Sequence, residues 1–228
     1  EPTYPVHPAW LDYTGHWLAA NFTERVIVYC DEARQLLWSR YGRRKNVYYV
    51  DHPHLIKYYP NTTSRESARA HLNLSPRSLV FAFIGGIRPN KGIELLIRAF
   101  HALENESYRL VIAGGIFPPH AYVQTLQNFA AGDDRISFYL DRILDEDMQI
   151  YLNAADIVVL PFARILTSGT ANLAMSFARP VILPRMGCLP ELVAPDCGWL
   201  YEPDDLASLV ETMQRAGSSD IAQTGKRA

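Results

Sequence analysis

The sequence is poor in each feature that would mark it for an extracellular scaffold, a membrane or a polyanion. Its 228 residues hold only three cysteines, Cys30, Cys188 and Cys197. These lie far apart, form no C-x-x-C pair and are odd in number, so neither a disulfide framework nor a zinc cluster is expected; three reduced, half-buried thiols in a cytoplasmic chain are the simple reading. No apolar run approaches the roughly 20 residues that span a bilayer, and the longest, Leu79 to Ile87, contains two glycines. An excess of one charge is also lacking: 22 Lys+Arg oppose 24 Asp+Glu, a formal charge of −2, which leaves no global field to draw in nucleic acid. Neither G-x-G-x-x-G nor G-x-x-x-x-G-K-[ST] occurs, which removes the best evidence for a dinucleotide or an ATPase site. The opening Glu1-Pro-Thr-Tyr-Pro-Val-His-Pro has no initiator Met, no signal-peptide core and no helix start, as expected of a chain that begins inside a larger one.

What is present is a rhythm. From Leu79 onward, short β-rich apolar runs at Leu79–Ile84, Arg109–Ala113, Ile136–Tyr139, Ile157–Leu160, Val181–Leu183 and Trp199–Tyr201 alternate with helical patterns. The helices are expected at Gly92–Leu103, Ala121–Ala131, Glu146–Asn153, Gly169–Phe177 and Asp205–Arg215. Such alternation is the signature of an α/β fold with a Rossmann-like, doubly wound parallel sheet. Upstream, Arg25–Cys30 and Asn46–Val50 read as two further strands around a helix at Glu32–Tyr41. The expected organisation is therefore a remnant of an earlier α/β domain over 1–50, a linker over 51–77 with one short helix at Ser64–His71, a ligand-binding domain over 78–216 and a tail over 217–228.

Two loops carry chemistry. Phe83-Ile-Gly-Gly-Ile-Arg-Pro-Asn-Lys-Gly92 runs from a strand through a glycine turn into a helix. Gly85 and Gly86 allow close backbone approach, the helix start offers N–H groups, and Arg88 and Lys91 add two cations, a combination suited to a phosphate or diphosphate. A plain glycine turn with two solvated cations fits the spacing equally well. Leu166-Thr-Ser-Gly-Thr170 precedes another helix, and its hydroxyls and glycine suit either an anion or simple capping. Both loops follow strands, on the edge where open α/β sheets bind ligands, so together they are placed to grip one phosphorylated ligand from two sides.

In order and spacing, Gly-Gly-Ile-Arg-Pro-Asn-Lys-Gly92, Arg109-Leu-Val-Ile-Ala-Gly-Gly115, Ala155-Asp-Ile-Val-Val-Leu-Pro161, Ala178-Arg-Pro-Val-Ile182, Gly187-Cys-Leu-Pro-Glu191 and Gly198-Trp-Leu-Tyr-Glu-Pro203 resemble the C-terminal half of GT-B fold glycosyltransferases of the glycosyl transferases group 1 type. The resemblance covers roughly residues 25–216. It implies a nucleoside-diphosphate sugar, UDP- or GDP-linked, as donor substrate, with no further cofactor and no metal. It implies transfer of a hexose to a hydroxyl of a glycan or glycolipid acceptor, as in polysaccharide biosynthesis. Carried onto this chain, it assigns the donor diphosphate to Gly86, Arg88, Lys91, Ser168, Gly169 and Thr170, the ribose or sugar to Asn172 and Glu191, and the base to Asp141 and Ile143, with Tyr139 as a further surface for the base. It places His54 of Asp51-His-Pro-His54 in the cleft.

One departure stands out: family members carry two glutamates eight residues apart around the second loop, and here those positions hold Ile165 and Leu173, which leaves donor sugar and stereochemical outcome open. Asp145-Glu-Asp147 spells a metal-binding D-x-D, but it opens a helix and reads as capping. The catalytic groups are expected mainly upstream of the residues present, so the fragment alone should bind a nucleotide and catalyse little. Arg40, Arg43, Arg44 and Lys45 read as a solvated helix end; a peripheral contact with the inner membrane surface would fall on them. A sugar-nucleotide epimerase of the same architecture and a non-catalytic nucleotide-binding module are the alternatives.

Overall fold

The computed structural model describes residues 9–193 and 197–227. Its core is a six-stranded parallel sheet formed by β3 (Leu79–Ile84), β4 (Tyr108–Ala113), β5 (Ile136–Tyr139), β6 (Ile157–Val159), β7 (Val181–Pro184) and β8 (Gly198–Tyr201), in the spatial order β5-β4-β3-β6-β7-β8. The register sets Phe81 opposite Leu110 on one side and Ile157 on the other. Both faces of the central strands are covered: Val80–Ile84, Ile157–Val159 and Val181–Leu183 are all buried, which is why these runs are continuous rather than alternating. The covering helices are α4 (Ile93–His101), α5 (Ala121–Ala130), α6 (Met148–Ala154), α7 (Gly169–Ser176) and α9 (Leu206–Gly217). On α4, Ile93, Leu96, Ile97 and Phe100 form the buried stripe, as 3.6-residue spacing requires.

A second, two-stranded parallel sheet precedes it. Strands β1 (Val26–Val28) and β2 (Val47–Tyr49) flank α2 (Asp31–Tyr41), and α1 (Ala9–Phe22) lies against α2 through Tyr13 Oη to Arg40 O at 3.1 Å and Asn21 Nδ2 to Tyr41 O at 3.0 Å. Helix α1 has no counterpart in the sequence reading, because its apolar residues Tyr13, Trp17, Leu18 and Phe22 point outward and give no one-sided stripe. Helix α3 (Arg65–His71), capped by Ser64 Oγ on Ser67 N, is more than an element of a linker. Ala68 and Leu72 enter the main core, and Arg69, 1% exposed, binds Asp156 at 2.6 Å. Two short helices were also unforeseen: α8 (Leu189–Leu192), and α10 (Ile221–Arg227) in the segment expected to be a tail.

The cysteine expectation is overturned. Cys30 and Cys188 are joined in a disulfide with Cα atoms 5.3 Å apart, and Cys197, also buried, takes no part in it. Counting and spacing along the chain missed the pair because the two residues are 158 positions apart and meet only when β1–α2 packs against α8. No helix among the described residues is long and apolar enough to cross a membrane.

Candidate functional site

Strand order reverses between β3 and β6, which pair directly, and the crevice beyond the carboxyl ends of such neighbours is where doubly wound sheets take ligands. The two loops singled out in the sequence leave the sheet here. After β3, Gly85 (φ +145°) turns the chain, Pro89–Lys91 make one 3₁₀ turn, and Gly92 (φ +66°) starts α4 with no side-chain cap. A Cβ on Gly92 would lie 1.9 Å from Pro161 O, so glycine is required both by conformation and by contact. The loops are tied together: Ala163 N donates to Asn90 O at 3.3 Å, and Thr170 Oγ1 stands 4.0 Å from the point where a Gly85 Cβ would sit.

The cations face this junction. Lys91 is half-buried with Nζ 4.6 Å above the Phe162 ring, and Arg88 is exposed with its guanidinium 5.6 Å from the Phe117 ring. Burial, and then the Arg88 charge, hold the Lys91 ammonium below the usual lysine range. Among the described residues neither cation has a carboxylate partner. A desolvated lysine and an exposed arginine that repel each other, both unneutralised and beside two helix starts, form a place where an anion lowers the energy of all of them.

In the second loop Ser168 is buried, and its Oγ accepts from Ala171 N at 3.1 Å as the N-cap of α7. The capping alternative therefore describes what this hydroxyl does. Gly169 is exposed, with open space where a Cβ would be, and Thr170 is half-buried next to the first loop. The positions of the two absent glutamates are filled by apolar packing: Leu173 is buried and Ile165 is partly buried against the same core.

Asn172 is buried, its side chain in contact with the imidazole of His52. Ser176 Oγ, one turn on, donates to Asn172 O at 2.7 Å and accepts from Leu55 N at 2.8 Å, so the segment after β2 is pinned along α7. The histidine that meets Asn172 is thus His52, its ring tilted against that of Tyr29 at 4.7 Å, and His54 is exposed. A Pro-rich segment with two histidines two residues apart gave no local signal to choose between them.

Glu191 is exposed, and its carboxylate accepts from Asp31 N at 3.1 Å through both oxygens, capping α2 of the smaller sheet unit. It lines a cavity of about 190 Å³ with Tyr49, Asp51, His52, Thr167 and Cys188. The Asp51 carboxylate hydrogen-bonds the Tyr49 hydroxyl and, as the largest cause, pushes it up. Apart from Glu191, none of these cavity residues was chosen from the sequence as a ligand-binding group, because they come from three distant segments that only the fold assembles.

On the other side of the first loop, Asp141 is exposed and Ile143 partly buried, and Arg142 between them lies 3.5 Å from the place of a Gly115 Cβ. This sets the 141–143 loop against the glycine pair that ends β4. Tyr139 does not face this crevice: its hydroxyl donates to Leu72 O at 2.8 Å and its ring packs edge-on to Tyr151. Phe117 was also missed. Its half-exposed ring lies over Gly86, where an added Cβ would come within 2.8 Å of it.

Comparison with known proteins places this geometry. Residues 78–218 match the family model described as glycosyl transferases group 1. The chain is 34% identical over 133 residues to a GDP-mannose:glycolipid 4-beta-D-mannosyltransferase of Xanthomonas campestris pv. campestris, covering 57% of this chain and 38% of the relative. It is 31% identical over 160 residues to a D-inositol 3-phosphate glycosyltransferase of Corynebacterium efficiens, covering 67% of this chain and again 38% of the relative. It thus spans well under half the length of either enzyme. Among solved structures, Anabaena HepE in complex with UDP and glucose superposes with a TM-score of 0.82 over 97% of this chain and 61% of that one, at 19% identity.

Proposed function

The chain belongs to the glycosyl transferases group 1 family, and from that premise we propose that it carries the donor side of a hexosyltransferase acting on a UDP- or GDP-linked sugar. The observation that carries the reading is the pair of unneutralised cations, Arg88 and Lys91, at the point where the β3 and β6 loops are locked together. In the transfer, an acceptor hydroxyl oxygen bonds to the anomeric carbon as the bond to the diphosphate breaks, and the hydroxyl proton passes to a base or to the departing diphosphate. The electron pair leaves on the diphosphate. Cations and backbone N–H groups fixed in advance stabilise that charge as it develops, without reorganisation during the reaction. Arg88, Lys91 and the backbone at Gly86, Gly169 and Thr170 are the groups proposed for this task, with Ser168 holding the second helix start in shape.

Asp141, Ile143 and the Phe117 ring are proposed to bracket the base, and Asn172 and Glu191 the ribose or sugar. The cavity of Asp51, His52 and Thr167 is proposed as the place where acceptor and donor sugar meet. The β1–α2–β2 unit is read as the closing part of an acceptor-side lobe over 1–50, joined through 51–77 to a donor domain over 78–216. A glycolipid or glycan acceptor is proposed, in keeping with the name of one relative, and its place at the inner face of a membrane is part of the same proposal.

Calorimetry with UDP, GDP, ADP and their sugar forms tests the site. One uridine or guanosine diphosphate is expected to bind, and Arg88→Ala with Lys91→Ala is expected to weaken it by at least about 100-fold, since hydrogen bonds to charged groups contribute roughly 1.5–3 kcal/mol each. Binding untouched by the double change, or no diphosphate binding at all, overturns the assignment.

A further inference from the structure

We propose that the Cys30–Cys188 disulfide is a reversible redox clamp across the cleft, opened by a small dithiol and closed by a small-molecule disulfide. Its last step, the effect on nucleotide binding, rests on the donor-site reading above. Three observations carry it.

The first is position. Cys30 ends the β1 segment of the smaller sheet unit and N-caps α2, whereas Cys188 precedes α8 in the loop that follows β7. Across the same seam, the other polar ties are the Glu191 carboxylate on Asp31 N, the Asn172–His52 contact and Leu55 N on Ser176 Oγ. The disulfide is the covalent member of that set. Its Cys188 backbone N–H also donates to Leu166 O at 2.7 Å, so it is joined to the loop that runs into Thr167 and Ser168.

The second is access from one side. Both cysteines are nearly inaccessible, at 0% and 5%, but Cys188 lines two cavities. One is the 190 Å³ cavity that holds Asp51 and His52; the other, of about 390 Å³, lies among Val26, Val28, Leu37, Tyr41 and Leu166. Cys30 lines neither. The approach proposed for an incoming thiolate is therefore from the Cys188 side.

The third is the leaving group. Attack on Cys188 expels Cys30, whose Sγ already accepts from Ala33 N at 3.3 Å at the start of the eleven-residue α2. A helix N-terminus stabilises a thiolate, and a more stable thiolate leaves faster. The steps balance: the dithiol's first sulfur bonds to Cys188 Sγ as the protein S–S bond breaks, and the electron pair goes to Cys30. The dithiol's second thiolate then displaces Cys188. The protein gains two electrons and two protons and the reagent leaves as its cyclic disulfide. Closure is the reverse, with an external disulfide as oxidant.

The test uses the chain as purified, exposed to reductant in its native state, quenched with acid, then denatured, alkylated and weighed. Untreated protein should show one thiol, that of Cys197; protein held in millimolar dithiothreitol without denaturant should show three, with Cys30 and Cys188 converted together. Excess glutathione, a monothiol that cannot complete the release, should leave its mixed disulfide on Cys188 and not on Cys30, as read by peptide mass mapping of the acid-quenched chain. Three thiols without reductant, a bridge that opens only in denaturant, or a mixed disulfide on Cys30 overturns the clamp. Calorimetry with UDP and GDP on the two forms then reads its consequence. The reduced form, and a Cys30→Ser/Cys188→Ser variant in either buffer, should bind about fivefold or more weakly. Equal affinity overturns the coupling to the site; absence of nucleotide binding in both forms counts against the donor-site reading and leaves the thiol counts to decide the clamp.

Discussion

At the scale of single residues, Lys91 shows how a binding group costs stability before its ligand arrives. Its ammonium is half-buried over Phe162 and repelled by Arg88, and both burial and repulsion favour the neutral amine. The folded pKa is therefore below the ordinary lysine value of 10.5, and between the two values the unfolded chain holds more protons than the folded one. Stability must rise with pH through that alkaline window, and the penalty is fully present below it. Lys91→Met keeps an unbranched apolar stem on Phe162 and removes the charge. The nucleotide-free variant is expected to melt at or above the parent temperature at neutral pH and to lose the alkaline rise, and its diphosphate affinity to fall about tenfold or more. A variant that melts lower while still binding nucleotide contradicts this account of Lys91. The sequence marked this lysine and Arg88 as cations beside a glycine turn. It held no sign that neither finds a carboxylate, which is a property of the assembled surface.

At the scale of elements, the parts legible in the sequence were those set by local pattern. The six strands and the helices between them follow from continuous apolar runs and 3.6-residue stripes, and the largest errors fall where those signals fade: α1, whose apolar side chains face outward, and α10, in a polar segment. What could not be read was how distant elements brace each other. Asp156, a strand-leading carboxylate in a recognised block, receives Arg65, Arg69 at 2.6 Å and Val80 N at 2.8 Å, and so ties α3 to the entry of β3 and β6. Arg69 is 1% exposed, so Asp156→Asn leaves a buried guanidinium with only carbonyl partners. A loss of about 3 kcal/mol is expected in urea unfolding, at the low end for a broken buried pair because those carbonyls remain. A change under about 1 kcal/mol would show that the brace contributes little. Gly92 makes a second junction. Alanine there meets both φ +66° and Pro161 O at 1.9 Å, a cost of several kcal/mol unless the β6 loop moves. Nucleotide affinity should fall with stability, because the same contact positions Lys91 and Thr170.

At the scale of the whole molecule, the two sheet units differ in how completely they are covered. The six-stranded sheet has helices on both faces. Among the described residues the smaller one has two strands, each paired to the other, with Ile27 61%, Tyr48 48% and Tyr49 51% exposed and Trp38 of α2 51% exposed. Two-stranded sheets are marginal in water, and exposed strand edges with apolar neighbours recruit other strands. The disulfide and the Glu191 cap hold this unit against the donor domain at one end, and neither covers its face. Among the described residues that face stays open. The chain of 228 residues studied alone should therefore associate with itself through this face. Sedimentation velocity over a concentration series is expected to show growth of larger species, and Ile27→Lys with Tyr48→Lys to suppress it, while UDP or GDP binding stays as in the parent because neither residue lines the donor crevice. A parent chain that sediments as a monomer throughout, or a double variant that still associates, would place the uncovered surface elsewhere.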